Sequence, residues 1–164
     1  MTMISVYADW EGLAQPKRLG YLQNRRSRAH ETFEFQYDPL ALADPRLSQI
    51  QLDPAIQLYE GSQYSTAGPS LFGIFEDSSP DRWGRLLMKR RLERDIRAGI
   101  QPAGTRLHQS DFLLGVHDLY RLGALRYRLE DRGEFLDNRI DLAAPLYYRN
   151  SYARTRKPGV GGRC

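Results

Sequence analysis

The stretch Thr32-Phe33-Glu34-Phe35-Gln36-Tyr37-Asp38-Pro39 decides how the rest of the chain is read. Apolar and polar side chains alternate with a period of two. An extended backbone therefore puts Phe33, Phe35 and Tyr37 on one face and Glu34 and Gln36 on the other. Asp38-Pro39 ends the run, because a residue before proline is pushed out of helical space and proline has no N–H to give a ladder. Working backwards, Ile4-Ser5-Val6-Tyr7-Ala8 has the same character, and Glu11-Gly12 offers a turn near its end. Arg18-Leu19-Gly20-Tyr21-Leu22 can return beside it, and the basic, polar residues 24–28 read as a loop. Three strands with one apolar face need a cover.

Working forwards, helices supply that cover. Leu47, Ile50 and Leu52 carry a weak apolar stretch, and residues 62–70, rich in Ser, Gly, Thr and Pro, read as a loop. Ser79-Pro80-Asp81 is a helix start: a capping hydroxyl, a proline where the missing N–H costs nothing, and an acid at the positive end. The pattern predicts a helix over 80–98, with Gly99 as its stop. A shorter helix is expected over 110–116 with Ser110 as its cap, then a strand over 126–129 and a turn over 130–133. The plan is α+β: a small antiparallel sheet with helices packed on one face. It occupies residues 1–142, with 143–164 as a basic tail expected to lack order.

Composition narrows the class. With 164 residues, 41% hydrophobic and 27% charged, the chain has the usage of one folded domain. Mean hydropathy is −0.60, and no apolar run approaches the ~18 residues of a membrane span. Residues 1–10 lack a basic segment followed by an apolar one, so a cytoplasmic protein with no membrane partner is expected. The single cysteine, Cys164, excludes an internal disulfide and a cysteine metal site. The formal charge is +4, but Arg149, Arg154, Arg156, Lys157 and Arg163 all lie beyond the last acid, Asp141. That leaves 19 basic against 20 acidic residues over 1–141, a net of −1. Nucleic acid is thus not expected as a direct partner of the body.

No cluster of chemistry-bearing residues is compelling. Gly159-Val160-Gly161-Gly162 has neither the preceding strand nor the following helix that a phosphate loop needs. His108, Asp111, His117 and Asp118 match no metal-site spacing, and surface or capping roles are expected of them. Ser110 beside His108 and Asp111 has the composition of a triad without the separation that its geometry requires. Arg82, Arg85, Lys89, Arg90, Arg91, Arg94 and Arg97 spread around much of the 80–98 helix, interleaved with Asp81, Glu93 and Asp95, and read as a solvated face with salt bridges to a partner. Trp83 reads as core or interface.

Two longer blocks go further. Leu71-Phe72-Gly73-Ile74-Phe75-Glu76-Asp77-Ser78-Ser79-Pro80-Asp81-Arg82-Trp83-Gly84-Arg85 resembles the "FG…DS.PDRWGR" signature of the HipA family of bacterial serine/threonine kinases, toxins of type II toxin–antitoxin modules. Residues 110–127, SDFLLGVHDLYRLGALRY, are similar to that family's next block, "D(Y/F)LLGV.D..R.GALRF". The opening strands match in order and spacing, so the resemblance spans about residues 4–136. It implies the N-terminal subdomain of such a kinase. The nucleotide loop, ATP-anchoring lysine, catalytic aspartate and metal-binding aspartate belong to the kinase core that follows in the family. No H-x-x-x-D loop and no D-F-[DG] after Leu136 is present, so no catalytic, cofactor-binding or metal residue is carried over; ATP and Mg are expected only with that core.

The change of character after Ala144 has the mark of a frameshift; one codon choice for residues 155–159 reads Leu-Glu-Ser-Leu-Ala in the next frame. Three functions follow as expectations, in this order. The first is a truncated, inactive N-terminal subdomain of a HipA-type kinase. The second is a standalone antitoxin or regulator that binds a separate HipA-like kinase core. The third is a nucleic-acid module using the tail. The partner expected is a HipA-like kinase core, in cis or in trans, with a HipB-like antitoxin as a further candidate. The expected interface comprises Phe72, Phe75, Arg82, Trp83 and Arg85.

Overall fold

The computed structural model describes residues 2–27, 30–65, 71–116, 121, 123–129 and 135. The tail 143–164 with its glycine run and Cys164, His117 and Asp118, the turn expected over 130–133, and part of the loop expected over 62–70 lie outside these residues. Among the described residues, β1 (Thr2–Ala8), β2 (Lys17–Arg26), β3 (Glu31–Tyr37), β4 (Ser62–Tyr64) and β5 (Leu125–Arg128) form one five-stranded sheet. Its order is β4-β3-β2-β1-β5 and every pairing is antiparallel. Helices α1 (Pro39–Ala43), α2 (Gly73–Asp77), α3 (Arg82–Arg97) and α4 (Gln109–Leu114) complete an α+β fold.

The alternation in β3 does what its pattern requires. Phe33, Phe35 and Tyr37 are buried, opposite Asn24, Leu22 and Gly20 of β2, which in turn face Thr2, Ile4 and Val6 of β1. Between Val6 and Tyr7 the register slips, so that Leu19 has no register partner on β1; such a bulge re-aims a side chain, and Leu19 joins the core. Gly20 is required where it stands. A Cβ there would sit 2.2 Å from the Gln36 carbonyl oxygen and 2.9 Å from the Phe35 ring. α2 and α4 cover this apolar face: Phe75 lies 5.5 Å from Phe35 and 6.3 Å from Tyr127 between ring centres, and Leu113 joins the same cluster. On the opposite face Phe135 meets Tyr7 edge-on at 5.2 Å, with the guanidinium groups of Arg126 and Arg128 at 3.9 and 3.7 Å from its ring centre.

Three expectations are corrected and one is extended. β2 runs on to Arg26 instead of breaking at Asn24, because the buried Asn24 amide accepts from Thr2 N at 3.0 Å and donates to Glu31 at 2.6 Å. Asp38-Pro39 ends β3 but also opens α1, with Asp38 as the cap that accepts from Leu40 N and Pro39 at the first helical position. Residues 62–64 form an edge strand, held through Gln36, Phe35 and Glu34 of β3. Finally, α4 is capped by His108, whose N–H donates to Asp111 at 2.9 Å, and not by Ser110. Ser110 is buried, its N–H and hydroxyl both donating to Glu31.

Candidate partner interface

The segment between α2 and α3 is built from both ends. The residue that opens α2 is Phe72, whose ring cannot accept a capping hydrogen bond, so Asp53 reaches in from upstream and accepts from Ile74 N at 2.9 Å. Phe72 and Phe75 turn inward and pack edge-to-face at 5.9 Å. Both rings are fully buried, which corrects the expectation that they present themselves to a partner; they are the support behind the surface. The chain then leaves α2 with two serine hydroxyls turned back on it, Ser78 to Ile74 O at 3.0 Å and Ser79 to Phe75 O at 2.9 Å. Ser79 is therefore spent closing α2, and Asp81 caps α3 instead, accepting from Gly84 N at 2.7 Å.

Within Pro80-Asp81-Arg82-Trp83-Gly84-Arg85 the residues divide by role. Gly84 has no room for a Cβ, which would lie 2.8 Å from the Pro80 side chain and 3.2 Å from the capping oxygen of Asp81. Arg85 is a strap: it donates to Pro80 O at 3.0 Å and Gln109 at 2.8 Å, and its guanidinium stands 5.0 Å over the Phe112 ring of α4. Met88 packs onto Gly115, and Leu92 is buried. Arg82 and Trp83 take no part in this anchoring and face outward; Trp83 is 58% exposed, which removes it from the core. Leu87, at 48%, and Leu86, at 37%, lie beside it. An open groove of about 1050 Å³ runs between the end of α2 and the first turns of α3, lined by Glu76, Ser79, Pro80, Trp83, Leu86 and Lys89 among others.

The second cluster of polar groups is structural. Glu31, buried where β3 begins, accepts from Asn24, Arg26 at 3.0 Å and Ser110, while Arg26 also donates to Asp111 at 2.7 Å. Burial opposes the ionisation of Glu31. The hydrogen bonds from Ser110, Arg26 and Asn24 outweigh it and hold the carboxyl below its ordinary pKa. This network locks α4 to the β2–β3 hairpin and has no exposed nucleophile or base. Among the described residues no group of three or more His, Cys, Asp and Glu side chains is placed to hold a metal ion, and no helix is long and apolar enough to cross a membrane.

Comparison of the chain with protein-family models, with curated proteins and with solved structures gave no match.

Proposed function

We propose that this chain is the N-terminal subdomain of a HipA-type serine/threonine kinase, catalytically silent by itself, which works by docking on a HipA-like kinase core. The observation that carries this reading is the division of labour within residues 80–85. Pro80, Asp81, Gly84 and Arg85 are accounted for by the internal architecture, whereas Arg82 and Trp83 are held outward without an internal task. Tryptophan and arginine are over-represented among the residues that dominate binding energy at protein interfaces, and Trp83 and Arg82 stand exposed side by side on the first turn of α3. Phosphoryl transfer needs a positioned metal, lysine and base, which the reading assigns to the kinase core.

A second reading, a separate antitoxin or regulator acting in trans, is favoured by one feature: β5 returns to pair with β1, so the five described strands build one sheet without a strand from another chain. The test is common to both. The purified chain is incubated with labelled ATP and Mg, alone and with a HipA-family kinase core that lacks its own N-terminal subdomain. No phosphate transfer alone, and a stable complex with the core, is the expected result. Transfer by the chain alone, or failure to bind the core, overturns the proposal. Translating the gene in all three frames beyond codon 130 separates the two readings, since a core encoded in another frame means action in cis.

A further inference from the structure

α3 has sixteen residues, of which Leu92 and Asp95 alone are buried. Its outward face is ordered along its length. Trp83, Leu87, Arg90, Arg94 and Arg97 follow one another at spacings of 4, 3, 4 and 3 residues, which on an α-helix places them in a single stripe about 21 Å long. The first part of the stripe is apolar, with Leu86 flanking it; the second part is three arginines, all exposed. Arg94 meets Asp95 at 3.4 Å yet keeps 69% of its side chain in solvent. The opposite side of α3 carries the anchors Arg85, Met88 and Leu92, so the stripe cannot turn inward.

Resting on the reading above, we infer that this stripe is a two-part docking face, and that its partner is a protein surface with an apolar cleft for Trp83, Leu86 and Leu87 next to a cluster of carboxylates for Arg90, Arg94 and Arg97. Charge complementarity fixes the second half and buried apolar area the first. A protein is favoured over a nucleic acid because the groove beside Trp83 is charge-balanced, Glu76, Asp77 and Asp81 against Arg82, Arg85 and Lys89, and so does not continue the three arginines into the basic track that a phosphate backbone needs.

The test uses the whole chain and a HipA-family kinase core without its N-terminal subdomain, with affinity measured by calorimetry between about 50 and 300 mM salt. Trp83→Ala with Leu87→Ala should weaken binding about tenfold or more at every salt concentration. The triple change Arg90→Glu, Arg94→Glu, Arg97→Glu should weaken it as much at low salt and flatten the salt dependence. Matching thermal melts confirm that both variants are folded. If the wild type binds and neither variant differs from it, the docking face is overturned while the family reading stands. Loss in the apolar variant alone overturns the acidic half of the partner. No binding by the wild type overturns both the reading and the inference. Tight binding of a single-stranded oligonucleotide that the triple variant abolishes overturns the choice of a protein partner.

Discussion

Arg121 Nη1 donates to the Ser78 carbonyl at 2.8 Å, so a side chain from the approach to β5 closes the exit of α2. The same nitrogen donates to Leu113 O at 3.0 Å, and Nη2 reaches Val116 O at 2.9 Å, at the far end of α4. Last-turn carbonyls have no partner inside their own helix. One planar guanidinium, lying 4.4 Å over the Tyr127 ring, serves both helix ends at once. Lysine keeps the charge but has a single nitrogen to offer. Arg121→Lys should therefore cost about 2 kcal/mol in urea denaturation, with an unchanged slope.

Glu31 predicts a specific acid sensitivity. Its folded-state pKa lies below the ordinary 4.5, so the stability it contributes is complete above the unfolded-state value and is lost as pH falls through the folded one. Asp44, drawn down first by its bond to Lys17 and then by Arg46, acts in the same direction. Stability measured from pH 7 downward should fall below about pH 4.5, and Glu31→Gln should flatten part of that fall while leaving the share of Asp44. An unaltered acid slope in Glu31→Gln would mean that the carboxyl is not held by this network.

Gly20→Ala should destabilise the sheet by about 3 kcal/mol, since the added methyl meets backbone as well as a packed ring. Gly12 is the control. It has a positive φ of 96° with open space around it, so Gly12→Ala should cost about 1 kcal/mol through backbone strain alone. Equal effects in a denaturant titration would contradict the close approach of Phe35 to β2.

Trp83 and Phe75 should behave as opposites. Trp83→Ala should leave the melting free energy within about 0.5 kcal/mol, because the ring is largely in solvent. Phe75→Ala should cost about 3–5 kcal/mol, because its ring is fully buried among Phe35, Phe72 and Tyr127. The pair separates a surface anchor from the core that holds it in place.

The local signals in the sequence were reliable where the physics is local. The period of two in β3, the apolar β1 and the stop of the long helix at Gly99, with its φ of 70°, need no distant residue to be recognised, whereas the expected cap Ser79 is taken by Phe75 O and Asp81 caps that helix instead. The features that the local pattern does not show depend on partners far along the chain. Asn24 and Arg26 look like loop residues until Glu31 and Asp111 are placed beside them. α2 is too short to show a period, and its cap is lent by Asp53. Of the candidate interface, residues 80–85 stand out in the sequence, but which of them face outward is set by Arg85 and Met88 gripping α4 and by Leu92 turning inward.

The position of β5 has a consequence for synthesis. β1, β2 and β3 are neighbours in sequence and can zip together as they leave the ribosome, while the outer edge of β1 pairs with Leu125–Arg128, on the order of 120 residues later. For most of translation that edge, with Val6 awaiting Tyr127, presents unpaired backbone to any other extended chain nearby. Completing the described sheet is then a long-range pairing, and a nascent chain stalled before residue 125 would expose the edge of β1 for longest.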